Sequence, residues 1–470
     1  MSQIGEMVRS AGGKAAKGRG MGIKLLSIVG LVMLLAMLLG LLGSIVDERS
    51  STRDSAVERT VDEWGGRQDL FGPVLRLPYE RLVRSNSGNL VREYGFGFVL
   101  PATMDAQVRM QTEKRSRGIF EVPLYTAKVA MTGSLHVPQG MDWLPAGANP
   151  DWDKAELWFF VGNARGLATA PELDLGDGLL DIQRATYDAQ GLPQDAFSVR
   201  LAGLHPGKQL DYSLQMSLRG GAHFGMFPAG DDSRLTVRSD WPSPEFGGAW
   251  LPTSRRVDGQ GFEASWEVPA MARPIPSNFV ADNWAAAGLA PRYLSFETPT
   301  PVDSYRMTER SVKYGLLFIL IPFAGFFLFE LFAGLGLHPV QYLMVGLAVL
   351  MFFLLLLSLS ERMDFTGAFI IASLAVVLLV TVYTIAVLGG TGRGLACGGG
   401  FTALYVLLYL IVSSEDNALM VGTLFLFALL SVIMLATRKV NWYALGGKPL
   451  SAATAPSRVA VQSAPIDILE

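Results

Sequence analysis

The sequence holds one cysteine, Cys397, and four histidines in 470 residues. A single thiol excludes an intrachain disulfide and a Cys/His zinc module, because such sites need several ligands at short fixed spacings. The histidines, His136, His205, His223 and His338, form no H-E-x-x-H pair, and no G-x-S-x-G elbow occurs. No catalytic residue, cofactor or metal is therefore expected. "GGTGRG", residues 389–394, lacks the Lys-Ser/Thr of a phosphate loop, and Leu395 stands where G-x-G-x-x-G needs its third glycine. It reads as a flexible loop between two apolar runs. Excess charge is lacking too: 39 Lys and Arg face 42 Asp and Glu, a formal net charge of -3. That balance excludes a nucleic-acid footprint and an acidic, disordered character.

What the sequence has in abundance is apolar surface, and half of the residues are hydrophobic. The run "KLLSIVGLVMLLAMLLGLLGSIV", residues 24–46, is long enough to cross a bilayer as a helix. It follows a basic segment, residues 1–23, with Arg9, Lys14, Lys17 and Arg19, which favours a cytoplasmic N-terminus. The run is too long for a signal-peptide core and no A-x-A-like site ends it, so it reads as an uncleaved anchor. A second block, residues 312–438, holds five further apolar runs, at about 312–335, 340–360, 366–388, 394–413 and 418–436. Six spans put both termini on one side. Arg393, Arg438, Lys439 and Lys448 fall on the expected inside, whereas "SERMDF" and "SSEDNA" fall outside; Arg306, Arg310 and Lys313 run against the pattern. The tail, residues 439–470, is small, polar and proline-bearing, and reads as flexible and cytoplasmic.

Between the two blocks, residues 47–311 change texture. A charged stretch, "DERSSTRDSAVERTVDEWGG", continues the first helix; then short runs such as "VLRLPY", "AQVRMQ" and "RLTVRSDW" alternate with period two between Gly, Pro, Asp and Ser. The expectation is a β-rich, mainly antiparallel, sandwich-like periplasmic domain attached to a membrane α-helical bundle of six transmembrane helices. "FVLPATMDAQVRM" and "GMFPAGDDSRLTVR" echo one another, with Val-Arg pairs that align after one gap. Trp64, Trp143, Trp152, Trp158, Trp241, Trp250 and Trp266 all lie here. Flat indoles can stack on sugars, which would suit peptidoglycan; the competing reading, that they fill the β core, accords better with the usual burial of tryptophan.

Carboxylates are the remaining source of chemistry. Glu330 lies in "FFLFELFAGLGLHPVQY", and a charge at bilayer depth costs roughly 2.5 kcal/mol or more, so such a residue is retained for a reason. His338 and Gln341 follow at the same membrane face and could share hydrogen bonds with it, either as glue between helices or as a proton or substrate relay. Glu361, Asp364, Glu415 and Asp416 fall in the outer loops and read as solvated charge.

The chain resembles the CreD family of bacterial inner membrane proteins. The resemblance is carried by "SVKYGLLFILIPFAGFFLFE", "LHPVQYLMVGLAVLMFFLLLLSLSE", "SSEDNALMVG" and "TRKVNWY" in the membrane part. In the outer part it is carried by "DEWGGRQDLFGPVLRLPY", "RSRGIFEVPLY", "SDWPSPEFGGAWLP" and "GFEASWEV". Two positions depart from the family pattern: Asn163 in "NARG" and Asn441 before Trp442-Tyr443 stand where the family has Asp. The resemblance implies a non-enzymatic protein of envelope integrity, linked to envelope stress, colicin tolerance and the β-lactam response. Partners expected are the lipid bilayer and, through the outer domain, peptidoglycan or envelope proteins; no pattern specifies an oligomeric state. The rival expectation is a transporter or lipid-handling protein built on Glu330, His338 and Gln341, with a membrane enzyme third.

Overall fold

The computed structural model describes residues 2–85, 88–118, 120–176, 178–185, 195–281, 292–299, 304–333, 336–414 and 417–438. The chain forms two compact units, one of Met1–Arg49 with Ser304–Glu470 and the other of Ser50–Asp303. The expected tail, residues 439–470, and Glu415, Asp416 and Asn441 lie outside the described residues.

Helix α1, Ser2–Trp64, contributes to both units. In the helical unit it is joined by α2, Ser304–Lys313, α3, Gly315–Ala333, and α4, Pro339–Ser360. Helices α5, Phe365–Val387, α6, Thr391–Ser413, and α7, Ala418–Thr437, complete it. Among the described residues four helices are long and apolar enough to cross a membrane: α1 from Ile23, α4, α5 and α6. The bent pair of α2 with α3 makes a fifth if counted as one span, and the apolar stretch of α7, Met420–Leu435, is shorter. One helix, α3, fills the run expected at 312–335 from Gly315 to Ala333, and the bend lies at its start. The chain bends by 43° between α2 and α3 because α2 is polar along one side, with Arg306, Glu309, Arg310 and Lys313, while Tyr305, Thr308, Ser311 and Val312 are buried. Such a two-faced helix suits an interfacial position rather than the hydrocarbon.

Glycines set the helix contacts. A Cβ on Gly346 of α4 would sit 2.2 Å from Leu35 Cδ1 of α1, and one on Gly315 of α3 would sit 2.7 Å from Leu39 Cδ1. Small residues at these crossings let apolar helices approach where no water drives them together. The same device corrects the expectation of a flexible loop at 389–394. Only Gly389 and Gly390 precede the helix; α6 starts at Thr391 and runs unbroken through the glycine-rich segment. Gly394 and Gly398 face α5, where a Cβ would lie 2.3 Å from Ile385 and 2.2 Å from Thr381. Those glycines are packing positions, which is why their low helix propensity is tolerated.

The β-rich unit contains two mixed sheets of ten and seven strands. In the larger, Gln68–Arg84 is paired antiparallel with Leu90–Val99 and Glu156–Val161, and parallel with His223–Met226. In the smaller, the hairpin Thr103–Arg117 and Phe120–His136 is flanked by Gln209–Gly221 on one side and by Asp232–Ser239, running parallel to Thr103–Met110, on the other. The mainly antiparallel expectation holds: among the described residues thirteen strand pairings are antiparallel, and only the contacts Gln68–Leu70 with Phe224–Met226 and Thr103–Met110 with Asp232–Ser239 are parallel. Inward-outward alternation has the same period in either direction, so it carries no information on strand polarity. The two echoing segments lie side by side here: Val237 is opposite Val108 and Arg238 opposite Arg109.

One hydrophobic core serves both sheets. Aromatic pairs cross between them, with ring centroids 6.3 Å apart for Tyr125 and Phe224, 5.1 Å for Phe262 and Phe296, and 5.9 Å for Phe246 and Trp266. Trp158, Trp241 and Trp266 are buried, and Trp143, Trp152 and Trp250 are half-buried against the core. Trp64 is half-buried between the guanidinium groups of Arg115 and Arg219, 3.6 and 4.9 Å from its ring centroid. No row of exposed indoles of the kind a sugar would stack on occurs among these seven.

Candidate functional site in the helical bundle

Glu330 sits near the C-terminal end of α3, and two side chains reach its carboxylate from other helices. Lys24 Nζ of α1 forms an ion pair and hydrogen bond with Oε1, and the Tyr342 hydroxyl of α4 donates to Oε2 at 3.2 Å. The Lys24 and Glu330 side chains are each 17% exposed. Phe323 and Phe326 stand edge-on to the Tyr342 ring, at 5.4 and 6.0 Å, and wall the pair from one side. Three helices are thereby tied at one level by charge-assisted hydrogen bonds, which are stronger than neutral ones and strengthen further where water is scarce. Chemically, the arrangement neutralises a carboxylate inside apolar surroundings and leaves it hydrogen-bonded on both oxygens.

His338 and Gln341 are close in sequence to this cluster but do other work. The Val340 N–H donates to His338 Nδ1 at 3.3 Å, and the His338 N–H donates to Gln341 Oε1 at 2.9 Å, with Pro339 in the first turn of α4. This is a reciprocal cap of a helix N-terminus, and it occupies both side chains. Among the described residues Glu330 therefore shares hydrogen bonds with Lys24 and Tyr342, not with His338 and Gln341. Lys24 escaped attention because it reads as the basic flank of the first span. The available signal was its place as the first residue of that apolar run, opposite in charge to the buried acid. Tyr342 was visible in "HPVQY" but carried no mark of a partner.

Two of the four outer-loop acids are described, and both have partners. Glu361 accepts from the Tyr305 hydroxyl at 3.2 Å and lies 3.9 Å from Arg49 Nε, joining α4 to α2 and α1. Asp364 caps α5, accepting from the Gly367 N–H at 2.9 Å. They act as structural ties at helix ends, and the first pair is partly solvated.

In the β-rich unit the "WGGRQ" and "NARG" segments interlock. The Gln68 side chain is fully buried, and its Nε2 donates to the carbonyls of Gly65, Asn163 and Arg219 at 2.7, 3.1 and 3.2 Å. Gly65 and Gly66 have φ of 151° and 75°, a region open to glycine, and a Cβ on Gly65 would sit 2.4 Å from the Arg219 carbonyl oxygen. Asn163 Oδ1 accepts from the Arg165 N–H at 3.0 Å and so starts the short turn Ala164–Gly166. An aspartate could accept the same bond, so the Asn163 departure preserves the local structure. Elsewhere in the unit, Arg273 is buried with its guanidinium on Asp231 at 2.7 Å and on the Ile275 and Ala229 carbonyls; burial lowers its pKa while Asp231 opposes that shift. Among the described residues no three His, Cys, Asp or Glu side chains are grouped so as to hold a metal ion.

The Lys24–Glu330–Tyr342 cluster and the "WGGRQ" interlock are both contained in a segment, residues 20–443, that matches the family model described as "Inner membrane protein CreD". The chain belongs to the CreD family. The inner membrane protein CreD of Escherichia coli strain K12 is 31% identical over 427 residues, spanning 90% of this chain and 93% of that one. As in that relative's name, this CreD-family chain is an inner membrane protein, and several of its apolar helices are long enough to cross the bilayer. Among solved structures, an M1 zinc metallopeptidase from Deinococcus radiodurans is 11% identical with a TM-score of 0.22. That match covers 46% of this chain and about half, 53%, of the peptidase. A likeness of that size carries no argument about fold or activity.

Proposed function

We propose that this CreD-family protein maintains the cell envelope without catalysis, its β-rich domain engaging peptidoglycan or an envelope protein outside the cytoplasm while the bundle anchors it. In this reading six spans, with α2 and α3 together as one and α7 as the last, place both termini in the cytoplasm and a sandwich-like domain, residues 47–311, in the periplasm. The carrying observation is the family match, which extends through both units rather than through the membrane helices alone. The test is dye entry and β-lactam survival in a deletion strain, complemented with the full chain or with a chain lacking the β-rich domain, at matched membrane levels. Barrier function restored by the domainless chain sinks this reading.

A second reading, a transporter or lipid-handling protein, is favoured by the Lys24–Glu330 ion pair, since charged groups inside spans often mark ion or substrate paths. Complementation by Glu330→Gln separates the two. Full rescue makes the pair structural, whereas failure with the protein present and folded raises the relay reading.

A further inference from the structure

An apolar groove of about 320 Å³ lies between α3 and α6. Ile321 and Phe329 of α3 and Phe401 and Leu404 of α6 form its walls. Its floor is bare: Gly325 and Gly400 both line it, both are exposed, and a Cβ built on either meets no atom within 4 Å. On α6, Gly394 and Gly398 are spent on packing against α5, whereas Ala396 and Gly400 open onto the groove. Small residues there leave room for an occupant and are not required by a neighbouring helix.

One end of the groove is charged. Arg393, in the first turn of α6, lines it; the guanidinium lies 6.0 Å from the Phe329 ring centroid and donates to the Leu388 carbonyl at 3.2 Å. Among the described residues no carboxylate pairs with it, and the Glu330 carboxylate is already taken by Lys24 and Tyr342. From Arg393 to Leu404 the helix rises about 16 Å, roughly half of the hydrocarbon thickness. That is the depth of one leaflet. A cation at one end and an apolar trough one leaflet long, open to the surrounding hydrocarbon, match the length of one lipid and the width of one of its acyl chains.

We propose that the groove between α3 and α6 binds an anionic glycerophospholipid, with one acyl chain laid over Gly325 and Gly400 and the phosphate received by Arg393. Zwitterionic lipid fills the trough equally well but gains less at the guanidinium, because its headgroup carries its own cation. The inference concerns binding by the purified chain and stands whether or not the envelope role holds.

Cys397 makes the test direct, since it is the sole cysteine and it lines the groove. The rate of Cys397 modification by N-ethylmaleimide is measured on the full-length protein in detergent micelles, with added phosphatidylglycerol or phosphatidylcholine. Phosphatidylglycerol should slow modification about fivefold more than phosphatidylcholine, the preference one arginine confers at an anionic lipid. Arg393→Gln should abolish the difference and Arg393→Lys should retain most of it. Gly400→Leu, which fills open space, should slow modification without lipid and remove the lipid effect. Equal protection by the two lipids, or preference for phosphatidylglycerol that survives Arg393→Gln, overturns the proposal. So does protection that rises with protein concentration in the absence of added lipid, which would make a second copy of the chain the occupant.

Discussion

Lys24 and Glu330, 306 positions apart in the sequence, meet as an ion pair between the first and third helices of the bundle. Taking two charges out of water costs several kcal/mol per ion, and their attraction repays that only while both are present. Lys24→Met alone, or Glu330→Gln alone, should therefore lower stability by about 3–5 kcal/mol. The double variant should recover most of that loss. Thermal unfolding in detergent, analysed as a double-mutant cycle, checks this; additive losses would show that the two groups are not coupled.

The glycines of α6 should separate into two classes. Gly398→Val drives a branched side chain into Thr381 and should destabilise by about 1–3 kcal/mol through overpacking. Gly400→Ala meets open space and raises helix propensity, so it should be neutral or stabilising by up to about 1 kcal/mol. Melting temperatures of the two variants, measured side by side, decide the matter.

Removing the Gln68 amide takes a buried donor from the carbonyl oxygens of Gly65, Asn163 and Arg219, of which Asn163 keeps the Gly166 N–H at 3.1 Å. Gln68→Leu keeps the volume nearly constant, so the loss isolates the hydrogen bonds. A decrease of about 1–3 kcal/mol per group left unsatisfied is expected, partly relieved by relaxation. Tryptophan fluorescence under urea, which reports on Trp64 and the core indoles, would read the shifted midpoint.

Alkali should unfold the β-rich unit. Tyr125, Tyr212 and Tyr293 all have pKa values raised above 10, chiefly by burial, with the Asp69 charge adding to the first and third. A raised pKa means that the unfolded chain loses these protons first. The stabilisation is fully present below about pH 10 and is lost as pH climbs through the folded-state values, by up to roughly 1.4 kcal/mol per pH unit for each tyrosine. Tyrosinate absorbance should then appear together with loss of tertiary structure. Absorbance that rises ahead of unfolding would mean that the phenols are accessible.

Much of this architecture could be read from residue pattern, and the failures have physical causes. Apolar length marked α4 and α5 because hydrocarbon thickness dictates it. The glycines at 392 and 394 hid the first turn of α6, whose span was expected only from 394, because glycine signals a loop by propensity and a close helix crossing by packing, and only the neighbour decides which. Glu330 was conspicuous from the cost of burying charge, but its partner lay in another span, and no local spacing connects Lys24 to it. His338 and Gln341 matched the capping pattern as well as they matched a site, and the backbone donors of α4 claimed them. Strand content and its mainly antiparallel pairing were legible, whereas the two parallel contacts, made by strands far apart in the sequence, were not.

The strand Thr103–Met110 completes its parallel contact with Asp232–Ser239, whose pairing begins 129 residues later, and Gln68 waits still longer for Phe224. Loop closure over such distances is slow, and unpaired strand edges are prone to wrong partners meanwhile. During synthesis, therefore, the outer edge of Thr103–Met110 stays unpaired until the chain as far as residue 239 has emerged. Any chaperone that attends this protein has its work set by that interval, and a chain cut short before Asp232 would lack the partner that the Thr103 edge of the Thr103–His136 hairpin needs.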